Sequence, residues 1–257
     1  LLEVHPPHES VHTWTGFLIH IATIVVGLFI AVGLEQAVEF FHHRHQRHQL
    51  EAQMHDVFEF DQKTVVAATN SLQGLRSYLV ELRAAIIARR AGTPGIAQPA
   101  VDDPRMATRI ATPSFAPYEA ARENGTVALL PADTIRIYNR LGYQRDLLLS
   151  EQARFQMAMD DVAAFRERFV DSTGVLEFGR VVIAPDLAQL NDAELAGYLA
   201  LVATLIKRTD VLIARYGVVY WVVTTVLEGA ATEEALLEEI MRRVNAGDAV
   251  PGLATIH

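Results

Sequence analysis

Residues Phe17 to Leu34 read FLIHIATIVVGLFIAVGL, eighteen positions without a formally charged side chain and with His20 and Thr23 as the conspicuous polar members. Extended outward from Trp14 to Val38, the run covers about 37 Å as a helix at roughly 1.5 Å per residue, a little more than a hydrocarbon core of about 30 Å. The spacing predicts a transmembrane helix over 14–38. A buried helix of a soluble protein is the alternative. A cleavable signal is not expected: LLEVHPPHESVH before the run carries no Lys or Arg, and GLEQAVEFFHHRH after it offers no small-x-small cleavage site. Arg44 and Arg47 follow the run and no Lys or Arg precedes it, so the positive-inside bias expects the C-terminal bulk in the cytoplasm, with a periplasmic body as the alternative.

Composition agrees with one span attached to a soluble body. The chain has 257 residues, a hydrophobic fraction of 51% and a formal net charge of -9. Its mean hydropathy of +0.17 is somewhat high for a soluble protein, an excess that one span accounts for. The acidic balance argues against a nucleic-acid partner, since neutralising phosphates needs surplus Lys and Arg. Without cysteine the chain can form no disulfide, thiolate nucleophile, iron–sulfur cluster or c-type haem linkage. Nine of its ten histidines precede residue 56.

Residues 1–13, with His5, Pro6, Pro7, His8, Glu9 and His12, form a polar head. Trp14 and Phe17 stand where interfacial aromatic anchors belong. Gly16, Gly27 and Gly33 are small enough to admit a second helix, though the G-x-x-x-G spacing is absent. Nothing except Gly74 interrupts a helix between the span and Gly92-Thr93-Pro94, so 39–90 is expected to continue as one juxtamembrane helix. Leu50, Met54 and Val57, then Val65, Ala68, Leu72, Leu75, Leu79, Leu82 and Ile86, alternate by three and four with an interruption at Asp61, which asks for neighbouring helices.

Residues 91–117 contain Pro94, Pro99, Pro104, Pro113 and Pro117 and are expected to be a connector. The body, 118–245, opens with a short helix stopped at Asn124-Gly125. A second long helix follows Pro131, capped by Asp133 or a neighbour, with Ile135, Tyr138, Leu141, Leu148, Phe155, Met159, Val162 and Phe169 near one face and an end around Asp171 to Gly174. Val175 to Ala184 has strand-like character. Asn191-Asp192-Ala193-Glu194 resembles a cap and first turn of a helix reaching about Glu228. Its apolar second half, Val211 to Leu227, includes Arg215 and is short for a crossing, so it is read as the central helix of a bundle. Thr232 opens a last helix to about Asn245, and 246–257 is a tail. The expected fold is all-α: a transmembrane helix continuing into a long helix that packs in an antiparallel helical bundle.

Two segments, EVHPPHESVHTWTGFLIHIATIVVGLFIAVGLEQAVEFFHHRHQ and YEAARENGTVALLPADTIRIYNRLGYQ, resemble a family of uncharacterised bacterial proteins with one membrane span bordered by histidines. The resemblance covers roughly residues 3–145 and is most specific at the His-Trp start, Gly33-Leu34-Glu35 and His42-His43-Arg44-His45. The family tends to carry Trp where Tyr118 stands. It implies an architecture and no activity.

Few constellations suggest chemistry. His42, His45 and His48 are spaced three apart along the helix and two of them could share a transition metal; the competing reading is a polar collar in which His and Arg meet lipid phosphates. His8-Glu9-Ser10-Val11-His12 has the H-E-x-x-H spacing, but it lies before the apolar run and opens directly after Pro6-Pro7. His20 could ligate a haem or a chlorophyll-type pigment, or it could reach the interface or bond a neighbouring helix. Glu35 and Glu39 read as solvated helix ends rather than proton carriers. There is no G-x-S-x-G, no phosphate loop and no dinucleotide fingerprint, and between Asp56 and Ile256 there is no imidazole to act as general base. Asp160 and Asp161 read as surface. No catalytic residue and no cofactor is therefore assigned.

The chain is expected to be a non-enzymatic accessory or scaffold subunit of a larger bacterial inner-membrane complex, respiratory or photosynthetic assemblies being natural hosts. It would meet lipid and other membrane subunits through Trp14, Phe17, His20, Gly27, Gly33, Arg44 and Arg47. The rival expectation is a membrane-tethered sensor with a pocket around Tyr138, Tyr143, Phe155, Tyr216 and Trp221.

Overall fold

The computed structural model describes residues 14–100, 103–169 and 185–246. The polar head 1–13, the strand-like stretch Val175 to Ala184, the expected helix end at Asp171 to Gly174 and the tail from residue 247 lie outside the described residues. Among the described residues there are five α-helices and no strand: α1 (Trp14–Arg90), α2 (Ala116–Glu123), α3 (Ala132–Glu167), α4 (Asp192–Leu227) and α5 (Glu233–Ala246), with 3-10 turns at Pro104–Met106, Thr126–Leu129 and Leu187–Gln189. The chain divides into two units, Leu1–Leu50 and Glu51–His257.

The first unit is the N-terminal part of α1. It packs against no other element of its own unit, and its apolar side chains point outward all round, from Trp14 at 81% exposure through Ile24, Leu28 and Phe29 to Val38 and Phe41.

The second unit is an antiparallel bundle. Along its part of α1, Met54, Phe58, Asp61, Val65, Ala68, Leu72, Leu75, Leu79, Leu82 and Ile86 are all buried, at strictly alternating steps of four and three. That is a heptad seam. It corrects two readings: Val57 is only half-buried and Phe58 takes its place, and Asp61 sits in the seam instead of interrupting it.

Side-chain bonds fix the directions of the helices. Gln62 Nε2 donates to Thr224 Oγ1 at 2.8 Å, Arg76 pairs with Asp210, and Arg90 Nε reaches Asp192 Oδ1 at 3.1 Å, so α4 runs antiparallel to α1. Gln152 meets Tyr216 at 2.8 Å, and Phe165 stacks on Tyr198 with centroids 5.0 Å apart, so α3 is antiparallel to α4 and parallel to α1. A parallel pair needs a connection that returns along its length. Residues 91–131 make that return.

Local signals set the helix ends. Asn191 Oδ1 accepts from Glu194 N at 2.9 Å while Glu194 Oε2 accepts from Asn191 N at 2.8 Å, the reciprocal capping box that Asn191 to Glu194 suggested. The expected carboxylate cap on α3 is replaced: Pro131 holds the cap position without a side-chain bond, and Asp133 lies inside the first turn, paired with Arg136 at 3.0 Å. Helix α3 ends at Glu167, and Phe169 lies past that end with its ring 5.1 Å from Phe165. Gly125 and Gly229 follow α2 and α4 at φ 80 and 94, where a Cβ would be strained. Helix α5 docks through Arg140–Glu233 at 2.8 Å and through Arg243, whose guanidinium lies 4.7 Å from the Trp221 ring.

Candidate membrane and partner interface

Among the described residues two helices, α1 and α4, are long and apolar enough to span a membrane. Their packing separates them. The apolar window of α1 is 0% buried, whereas 44% of that in α4 is buried, with Val219, Tyr220, Val222, Val223, Thr224 and Thr225 inside the bundle. Helix α4 is thus the central bundle helix, as its Arg215 and short apolar half suggested.

A helix that is apolar on every side is stable only where its whole circumference leaves water. In α1 the backbone bonds itself, and Thr23 Oγ1 donates to Ile19 O at 2.9 Å, so the polar hydroxyl is satisfied within the helix. Trp14 and Phe17 meet edge to face, with centroids 6.1 Å apart, at one end of the run. At the other end Phe40 and Phe41 make a second aromatic pair, both exposed. The sequence reading passed over this pair, although two adjacent aromatics just beyond Val38 are its signal.

His20 is exposed among apolar neighbours. A Cβ added at Gly27 or Gly33 would meet nothing within 4 Å, so neither glycine is required by packing among the described residues. At 100° per residue Gly16, His20, Thr23, Gly27 and Ala31 follow steps of four, three, four and four and share one side of α1, while Gly33 points elsewhere. Five of the small and polar residues of the run therefore share one stripe, which includes Ala31, while Ala22 and the expected Gly33 lie off it.

Arg44 is exposed and Arg47 half-buried. His42, His45 and His48 are exposed on one helix, His43 Nε2 lies 3.9 Å from Glu39 Oε1, and no group of three or more metal-ligating side chains forms among the described residues. Tyr138, Phe155 and Tyr216 are buried core side chains, Tyr138 packing on Phe58 and Tyr118, whereas Tyr143 is 55% exposed. Asp160 and Asp161 are exposed, Asp160 accepting from Gln156 at 2.8 Å.

The polar groups that the bundle does gather lie under the connector. Between Ala107 and Ser114 several backbone groups of the connector are bonded by side chains. Arg105 bonds Glu81 at 2.6 and 2.7 Å and Asp103 at 2.7 Å, holding both carboxyls below their usual range. Ser71 Oγ donates to Ala107 O and accepts from Arg109 N. Tyr216 Oη accepts from Ala111 N at 2.8 Å and donates to Ala111 O at 2.7 Å, while Gln152 Nε2 also donates to that carbonyl at 2.7 Å. Asp61 accepts from Ser114 N at 3.2 and 3.1 Å. Of these anchors the sequence points only to Tyr216, and there as a candidate pocket residue; the register of Asp61 in the alternating seam is the one signal of an anchor. No family model, curated protein or solved structure matches the chain.

Proposed function

We propose that the protein is a non-enzymatic accessory or scaffold subunit of a bacterial inner-membrane complex, anchored by Trp14 to Val38 and attached to its host through that helix and the helical body. The observation that carries this reading is an apolar helix surface none of which is buried by the rest of the chain. Support also comes from the aromatic pairs at both ends of the run and from the stripe through Gly16, His20, Thr23, Gly27 and Ala31, where a second helix can approach closely. Arg44 and Arg47 after the run place the body in the cytoplasm on the same reading. The resemblance of residues 3–145 to the single-span family with histidine borders belongs to this proposal.

Buried Tyr216 and Gln152 bond the connector's own backbone, which favours a structural body over a ligand-sensing one. Purification of the native protein from membranes in mild detergent, with mass spectrometry of copurifying chains, tests the reading. A defined set of membrane subunits is expected, and Gly27→Leu should reduce their recovery without lowering the denaturation midpoint of the body. A lone monomer whose deletion changes no complex would overturn it.

A further inference from the structure

Asp61 is the one carboxylate in the heptad seam of α1, at 2% exposure, and it accepts from the backbone N–H of Ser114. The other anchors of this end of the connector, Tyr216, Gln152 and Ser71, do not change charge between pH 4 and 8. Asp61 does. Burial pushes its carboxyl up to about 6, against the opposing pull of the Ser114 N–H and the Arg145 cation.

The surroundings supply little else. Helix α3 contributes Arg145, whose guanidinium pairs with Glu119 of α2 and lies 5.7 Å from the Phe115 ring. The connector has no charged residue from Ile110 to Pro117, and α4 has none from Tyr216 to Leu227, the stretch that antiparallel pairing sets beside Asp61. On α1 the nearest charged residues, Glu59 and Lys63, are exposed.

We propose that Asp61 is a proton-operated latch on the connector: with the carboxyl neutral, residues 111–117 stay docked on the bundle, and ionisation loosens them while the helices remain packed. The cause is solvation. A carboxylate under the docked connector forgoes water that it regains when Ser114 lifts away, whereas the neutral acid forgoes far less. Because the docked state has the higher proton affinity, docking is strongest below about pH 4, weakens as pH rises through about 6 and is constant above that.

The other end of the connector behaves oppositely. Glu81 and Asp103 are held low by Arg105, so that anchor persists through the same pH window and releases only in stronger acid. Residues near Arg105 thereby become the hinge, and loosening is confined to the Asp61 end. An Asp moved from 3.8 to about 6 limits the change in the opening equilibrium to about 100-fold, and partial hydration of the site lowers it toward about tenfold.

Hydrogen exchange on the full chain in detergent micelles, from pH 4.5 to 7.5 and corrected for intrinsic rates, reads the latch directly. The Ser114 amide should lose about tenfold or more of its protection as pH rises, while the amides of Ile206 and Leu212 in α4 keep theirs. Asp61→Asn should abolish the dependence. A flat wild-type profile, an unchanged slope in D61N, or parallel loss in α4 would overturn the proposal. Should D61N fail to fold, Arg145→Gln keeps the carboxyl and removes the cation, so the midpoint of the Ser114 profile must move to higher pH; an unmoved midpoint overturns the latch.

Discussion

One helix, α1, carries two kinds of hydrophobic sequence. From Phe17 to Leu34 apolar side chains occupy every side and are exposed; from Met54 to Ile86 they occupy one seam and are buried. Both segments are helical and rich in Leu, Val and Ile. Periodicity therefore decides what each faces: a one-sided stripe is covered by two or three helices, whereas an all-round surface needs a surrounding medium.

The contrast is broken most severely by charge. Val25→Arg with Phe29→Arg adds about 2.5 to 3.5 kcal/mol per arginine to membrane insertion, so flotation on a density gradient should lose the protein from the membrane fraction. Phe60→Arg, at a position 66% exposed in the bundle, should leave flotation intact and change stability by less than about 0.5 kcal/mol. Next in size, Leu75→Ala empties a fully buried seam position and should lower the unfolding free energy of the body by about 2 to 5 kcal/mol, measured by denaturant titration in detergent. Ile24→Ala should not move that midpoint.

Smaller changes sharpen the description of the seam. Tyr216→Phe removes the acceptor of the buried Ala111 N–H and should cost about 1 to 3 kcal/mol, with Ala111 exchange accelerating before that of α4. Asn191→Ala removes one half of the capping box and should cost about 1 kcal/mol, read from the same titration.

How much of this was legible depended on whether the determinants were local. The apolar run needs only its own eighteen residues, and the Asn191 box only four, so both could be read directly. The seam was legible except at Val57, where the adjacent Phe58 takes the buried place, and at Asp61, where hydrophobicity registers a break. The bond that reconciles Asp61 with burial comes from Ser114, 53 positions away. The prolines of 91–117 indicate that the connector is not helical, but its docking rests on Tyr216, 105 positions from Ala111. The cap of α3 was misread because Pro131 already sets a suitable φ of -57, leaving Asp133 to pair with Arg136. Tyr138, Phe155 and Tyr216 are buried side chains, and their sequence does not tell core from cavity, because aromatic side chains fill a core as readily as they line a pocket.

The bond between Gln62 and Thr224 joins residues 162 positions apart, across the first and last long helices of the bundle. At elongation rates of about 5 to 20 residues per second, the ribosome makes α1 roughly 8 to 30 seconds before its counterpart. During that interval a nascent chain presents a greasy stripe with no native cover. Chaperone occupancy should accordingly peak after α1 emerges and fall once α4 has cleared the exit tunnel.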